Sequence, residues 1–253
     1  MMSIQLNSTL PTEEVGRVVE LGEPLYWKMM VSAIICCYLV FKLFDSLSEK
    51  KKVDFLKVFG VLLLLTQFTI LTLSALFAEN GFALDHHLPL HFCSINYLFI
   101  SLNCFLRNRM LFYATGYMGI TGGLHAFLTP ILTAGDSNMQ IAFFVFSHSI
   151  IIIMPLIMIR HFNMKFRKFD WIKTVFIGIF VSTLMMGINA LINIDPSAEA
   201  NYMFVSDKPE VDNPFLLDLP LPYYIFPLYV VAGAHMIVIN WIYKKAMGVQ
   251  LER

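Results

Sequence analysis

Residues 139–160 read MQIAFFVFSHSIIIIMPLIMIR, a stretch whose only charged residue, Arg160, stands at its end. A helix rises about 1.5 Å per residue, so about 20 residues cross a hydrocarbon core of about 30 Å. Strands of a membrane barrel are about half as long and alternate in polarity, whereas residues 150–154 are continuously apolar. The pattern therefore predicts an all-α fold, a polytopic helical bundle in a membrane.

Further apolar stretches of similar length predict seven transmembrane helices, at residues 26–44, 55–78, 88–106, 110–132, 139–160, 171–194 and 222–243. The composition agrees, because 57% of the residues are apolar, 14% are charged and the mean hydropathy is +0.67. A single soluble domain of this length would need a more highly charged surface. We therefore expect an integral membrane protein in contact with the lipid bilayer, with no nucleic-acid partner.

The distribution of charge predicts the orientation of the bundle. Lysine and arginine concentrate in short cytoplasmic loops. They follow spans one, three, five and seven, at Lys50, Lys51, Lys52 and Lys57, then Arg107 and Arg109, then Arg160, Lys165, Arg167 and Lys168, and finally Lys244, Lys245 and Arg253. The intervening connections are mainly acidic. Seven spans with the N-terminus outside and the C-terminus inside satisfy every loop.

We expect one transmembrane domain over residues 26–243, preceded by an exposed segment at 1–25 and followed by a cytoplasmic tail at 244–253. The first segment contains four glutamates and no apolar run, so it predicts no cleavable signal peptide. The longest outer connection, at about 195–220, is rich in proline and acidic residues. It either caps the outer face or follows an irregular path, and the sequence leaves both open.

Four histidines fall within the predicted spans, namely His91, His125, His148 and His235. An ionisable side chain among lipid tails costs several kcal/mol unless it faces a partner or a cavity, so each is a functional candidate. Helical depth places His125 and His148 with Cys93 in the outer half of the membrane. His91 is expected on the helix face opposite Cys93, as a supporting residue. His235 is expected on the cytoplasmic side of the midplane, bonded to a carbonyl of a neighbouring helix.

Cys93 stands out among the four cysteines, none of which predicts a disulfide or a zinc motif. A buried cysteine is usually a small apolar residue, but Pro89 suits the first turn of a helix and would place Cys93 near its N-terminus. The helix dipole favours a thiolate there, so a pair with a histidine from another span becomes possible.

Gly119 and Gly123 form a small-residue seam for close helix packing.

Four ordered motifs resemble the YwaF-like family of bacterial integral membrane proteins: LPLHFC at 88–93, GLHAFLTP at 123–130, FFVFSH at 143–148, and NYMF at 201–204 with the following Lys208-Pro209. That family is similar to a eukaryotic transmembrane acyltransferase that remodels ether phospholipids through a membrane-embedded cysteine. The resemblance covers about residues 85–243 and implies a bacterial plasma-membrane protein. It places the family's cysteine at Cys93 and its histidine at His148.

The leading hypothesis is a phospholipid acyltransferase or transacylase acting on phospholipid and lysophospholipid. His148 would deprotonate Cys93, the thiolate would accept an acyl chain, and a lysolipid hydroxyl would receive it. His125 would orient the acyl carbonyl or supply a second imidazole, and no cofactor or metal is expected. The sequence leaves three alternatives open: a lipid hydrolase with the same dyad, a small transporter with a histidine relay, and a zinc hydrolase using His91, His125 and His148.

Overall fold

A computed structural model describes residues 17–77, 82–132, 137–208 and 217–247. Its seven helices are α1 Pro24–Ser46, α2 Glu49–Phe77, α3 Phe92–Leu106, α4 Arg109–Leu128, α5 Asn138–Phe162, α6 Asp170–Ile192 and α7 Ile225–Met247. A 3-10 turn covers Tyr202–Phe204, and two two-residue strands, β1 Arg17–Val18 and β2 Ile131–Leu132, pair antiparallel. Apart from that pairing, the regular secondary structure of the described residues is helical, which confirms the predicted all-α fold.

Parts of three predicted regions lie outside the described residues. They are residues 1–16 of the N-terminal segment, 209–216 of the long outer connection and 248–253 of the tail.

Five helices are long and apolar enough to cross a membrane, namely α1, α2, α5, α6 and α7. The prediction of a membrane bundle is confirmed at this level, while the seven crossings and their orientation stay predictions. Helix α3 has 15 residues and is therefore about 22 Å long at 1.5 Å per residue. It is shorter than the span expected at 88–106 because its first residue is Phe92.

Helix α4 lies inside the bundle, where it contacts α3, α5, α6 and α7. Its glycines allow this packing, because a methyl group on Gly119 would lie 2.5 Å from the carbonyl oxygen of Ile151, and one on Gly123 would lie 2.6 Å from Cγ1 of Ile152. A helix surrounded by other helices faces protein more than lipid. Its sequence can therefore be less apolar than that of the five longer spans.

The basic loops gather at one end of the bundle. At the end of α5, a guanidinium nitrogen of Arg160 lies 3.4 Å from a carboxylate oxygen of Asp45, which is at the end of α1. At the start of α4, a guanidinium nitrogen of Arg109 lies 2.6 Å from a carboxylate oxygen of the buried Asp170, which is at the start of α6. The starts of α3 and α5 and the ends of α4 and α6 consequently lie at the opposite end, together with the start of α7.

The chain before α1 is fastened to that opposite end. The backbone N–H of Val19 donates to the carbonyl oxygen of Pro130 at 2.9 Å, directly beside the β1–β2 pair. Within the segment expected to be exposed, Leu21 is exposed but Val19 is buried against Phe127 and Leu132. The segment before α1 therefore packs against the end of α4 and against β2.

Candidate functional site

A cavity of about 390 Å³ lies at the end of the bundle opposite the basic loops. It is bordered by the first turns of α3, the last turns of α4, and parts of α5, α7 and the segment around the 3-10 turn. Four of the five residues singled out from the sequence line it, namely His91, Cys93, His125 and His148, whereas His235 does not. The cavity thus brings one thiol and three imidazoles from three different helices and a loop into one space.

Cys93 is the second residue of α3, in the turn where backbone N–H groups have no helical acceptor. We expected Pro89 to begin this helix, but Leu90 donates to the carbonyl of Leu88 and Tyr202 accepts from the backbone N–H of Leu88. These bonds hold the chain in a turn, so the helix starts at Phe92. A methyl group on Gly122 of α4 would lie 3.9 Å from Sγ of Cys93.

The expected position of His91 on the helix face opposite Cys93 is wrong. It precedes the helix, with φ −65° and ψ 150°, so helical periodicity does not set its direction relative to Cys93. Both residues line the same cavity instead of opposite faces. The His91 ring packs against Tyr202 and Phe204, at centroid distances of 5.3 and 5.5 Å.

His148 is the buried imidazole of the site, 9% exposed. Its Nδ1 lies 2.7 Å from the carbonyl oxygen of Phe144, one turn earlier in α5. A carbonyl can only accept a hydrogen bond, so Nδ1 carries the hydrogen, and in the neutral ring Nε2 then holds the lone pair. The Phe144 ring lies against the imidazole, with centroids 4.1 Å apart and an interplanar angle of 34°. In the neutral His148 ring, Nε2 is therefore the nitrogen that can accept a proton.

His125 of α4 and His235 of α7 form a second pair, with ring centroids 4.9 Å apart and an interplanar angle of 74°. Nδ1 of His235 donates to Val231 at 2.7 Å, within its own helix. The expected bond to a neighbouring helix is therefore wrong. The two rings lie side by side, although the sequence placed His125 in the outer half of the membrane and His235 on the cytoplasmic side of its midplane.

The segment that follows α6 covers the cavity. Asn189, fully buried, binds the backbone N–H and carbonyl of Tyr202 at 3.1 Å each and the hydroxyl of Ser206 at 2.9 Å. The Tyr202 hydroxyl donates to Leu84 at 2.8 Å and accepts from Leu88 at 2.9 Å. Burial raises the pKa of Tyr202 to about 12, so this hydroxyl keeps its proton. The described part of the long connection therefore packs over the site.

Two residues of this segment have left-handed backbone conformations, which residues other than glycine rarely adopt. They are Met203, with φ 60°, and Phe204, with φ 54°. Both line the cavity. Such strained backbone persists where its surroundings fix it and is common at functional sites. The sequence offered a signal for these residues only through the NYMF motif, and offered none for the buried anchor Asn189.

Among the residues that the structure describes, no three His, Cys, Asp or Glu side chains are close enough together to hold a metal ion. All four cysteines are free thiols. The reactive groups that the cavity presents are one thiol and three imidazoles.

No match to this chain was found among curated proteins or among solved structures. A model of the TMEM164 family, a transmembrane protein family, matches residues 21–240 and so includes all of the helices except the end of α7. This match spans the cavity and every residue that lines it, and the protein therefore belongs to the TMEM164 family.

Proposed function

We propose that this membrane protein is a phospholipid acyltransferase that transfers chains through a thioester on Cys93, with His148 as the base. The observation that carries the proposal is that both side chains line one cavity while the Phe144 carbonyl fixes the tautomer of His148. The resemblance of the motifs around these residues to the YwaF-like family and its acyltransferase relative supports the same assignment. Membership of the TMEM164 family agrees with a membrane-embedded site.

The reaction begins with neutral partners, because burying separated charges in a cavity of low polarity costs free energy. Nε2 of His148 accepts the thiol proton as Sγ of Cys93 attacks the carbonyl carbon of a phospholipid ester. The C–S bond forms and the ester C–O bond breaks. The leaving lysolipid oxygen takes the proton from the imidazolium, which restores the neutral base.

The second half-reaction reverses these steps with a different acceptor. The hydroxyl of a second lysophospholipid attacks the thioester carbonyl while His148 accepts its proton. The new C–O bond forms, the C–S bond breaks, and the proton returns to Sγ. The two half-reactions together consume no water and no oxidant. The net charge of the site is the same before and after them. We propose that His125 orients the acyl carbonyl and that His91 supports the site through its packing on Tyr202 and Phe204.

We further propose that the bundle crosses a bacterial plasma membrane seven times with its N-terminus outside. The cavity lies opposite the basic loops, and basic loops remain in the cytoplasm. The site then opens toward the outer leaflet, where soluble cytoplasmic acyl carriers do not reach it. The acyl donor is consequently a neighbouring phospholipid.

Exchange in liposomes tests the proposal. Purified protein is reconstituted with an acyl-labelled phospholipid and an unlabelled lysophospholipid, without coenzyme A, and the labelled products are separated by mass spectrometry. The native chain should form labelled phospholipid from the lysolipid, and a hydroxylamine-sensitive acyl group should be found on Cys93. Cys93→Ala should abolish both signals.

Cys104→Ala is the matched control. Cys104 belongs to the same helix, but it is buried in the core and bonds to Ile100 within α3. This variant should exchange chains at the native rate. Unchanged exchange in Cys93→Ala would reject the thioester route, and labelled free fatty acid as the sole product would replace transfer by hydrolysis.

A further inference from the structure

A second cavity, of about 350 Å³, lies between α4, α6, α7 and the segment around the 3-10 turn. It adjoins the first cavity, since both are lined by Phe92, Thr121, Gly122, Phe204, Leu228 and Ala232. Its remaining lining is mainly aliphatic, with residues such as Met118, Val175 and Met236. The two cavities are thus neighbours, one bordered by Cys93 and the other by mainly apolar side chains.

The polar groups of this second cavity are almost all satisfied within the protein. The hydroxyl of Thr174 donates to the carbonyl of Asp170 at 2.9 Å. Ser182 and Tyr229 bind each other through their hydroxyls. A cavity whose hydroxyls already have partners offers an occupant mainly van der Waals contact, which suits a hydrocarbon chain.

Thr121 is the exception. It lines both cavities, is 8% exposed, and its Oγ1 has no hydrogen-bond partner among the residues that the structure describes. A buried hydroxyl without a partner costs about 1–3 kcal/mol, so a bound group that accepts from it is favoured. Thr121 immediately precedes Gly122, whose Cα lies beside Cys93. The unpaired donor therefore borders the same cavity as the thiol and also borders the second, more apolar cavity.

We propose that the cavity between α4, α6 and α7 binds the fatty acyl chain of the phospholipid substrate, and that the Thr121 hydroxyl donates to the carbonyl of that chain. This inference rests on the proposed acyl transfer for its chemical context. An ester carbonyl beside Cys93 must lead on one side to the polar glycerol and on the other to hydrocarbon. The first cavity contains the imidazoles and the hydroxyl of Thr129, and the second supplies the apolar volume.

Gly178 of α6 lines only the second cavity, and a methyl group there would lie 3.3 Å from the mobile end of Met118. Gly178→Leu therefore fills the chain pocket without touching Cys93. Gly187 of the same helix is exposed, with no atom within 4 Å of an added methyl group. Gly187→Leu is the matched control for a leucine in α6.

The first experiment measures binding without turnover. Cys93→Ala protein in liposomes is irradiated with a phosphatidylcholine that carries a diazirine at the end of one acyl chain, and crosslinked peptides are mapped. Crosslinks should fall on residues of α6 and α7 that line the cavity. They should decrease at least about tenfold with Gly178→Leu and persist with Gly187→Leu. Crosslinks confined to lipid-facing residues such as Phe176 and Phe180, unaffected by Gly178→Leu, would overturn the proposal.

The second experiment measures transfer from oleoyl and octanoyl phospholipids. Gly178→Leu should lower the rate ratio of the long to the short chain at least about tenfold. Thr121→Val, which lacks the hydroxyl, should lower the rate about 10²-fold with both chains, and Thr121→Ser should retain it. Equal rates for Thr121→Val and the native chain would overturn the role of Thr121.

The two sets of results separate the two proposals. Cavity crosslinks without any transfer by the native chain would leave the chain pocket standing and reject the acyltransferase. Transfer with an unchanged chain preference in Gly178→Leu would reject the pocket and leave the acyltransferase standing.

Discussion

His148 and Phe144 contact each other twice across one turn of α5. The imidazole Nδ1 donates to the Phe144 carbonyl at 2.7 Å, and the two rings contact each other in a tilted arrangement with centroids 4.1 Å apart. Both contacts come from the same helix, and Phe127 of α4 adds a ring contact with His148 at a centroid distance of 6.1 Å. The aromatic residues before His148 in the FFVFSH motif thereby acquire a physical role.

The first prediction concerns the base. His148→Asn removes the lone pair that accepts the thiol proton, so acylation of Cys93 by an activated lipid ester should slow by about 10²–10⁴-fold. Mass spectrometry of the acylated protein measures the rate. His161→Asn, at the other end of α5 and outside the cavity, should leave it unchanged. Equal rates in the two variants would contradict general-base action by His148.

The second prediction concerns the segment over the cavity. Tyr202→Phe keeps the ring contact with His91 but leaves the carbonyl of Leu84 and the N–H of Leu88 without their partner. The free energy of unfolding should fall by about 1–3 kcal/mol, the cost of unpaired buried groups. Thermal unfolding in detergent measures it, and Tyr223→Phe, an exposed tyrosine, is the control. A null effect would show that the hydroxyl bridge is not a stabilising contact.

The third prediction concerns the packing of α4. Gly119→Ala would place a methyl group 2.5 Å from the backbone oxygen of Ile151, which cannot rotate away. The helices must separate, and the protein should lose about 1–3 kcal/mol of stability. Gly187→Ala, with open space around it, should instead gain up to about 1 kcal/mol from higher helix propensity. The same shift of both melting temperatures would argue against a tight α4–α5 contact.

The fourth prediction concerns orientation. Ser197 follows α6 at the end that contains the cavity, and Ser48 joins α1 to α2 at the basic end; both are exposed. In intact cells a membrane-impermeant maleimide should label Ser197→Cys, while Ser48→Cys should need permeabilised cells, because basic loops remain inside. The reversed labelling pattern would place the site at the cytoplasmic leaflet. Soluble acyl carriers of the cytoplasm would then be candidate acyl donors.

Much of the fold and part of the site could be predicted from local sequence. Runs such as 150–154 are apolar in every direction around a helix, so length and hydropathy identify the five long spans. The ends of α3 and α4 were less predictable. Hydropathy does not predict the turn at Leu88–Leu90, because that turn depends on a hydrogen bond from Leu88 to the distant Tyr202. Nor does it predict the interior position of α4, which depends on contacts with residues such as Ile151.

The sequence by itself determined that this chain is a helical membrane protein, because long apolar runs are required to cross a bilayer. It also predicted Cys93 and His148 as site residues, because ionisable groups within apolar spans are rare. Only the tertiary structure decided which groups share a cavity. His91 joins Cys93 because it stands before the helix, His235 meets His125 because of where α7 begins, and Thr121 lacks a partner because of how α4 is surrounded. These relationships depend on where helices start and how they pack, and residues far apart in the chain set both.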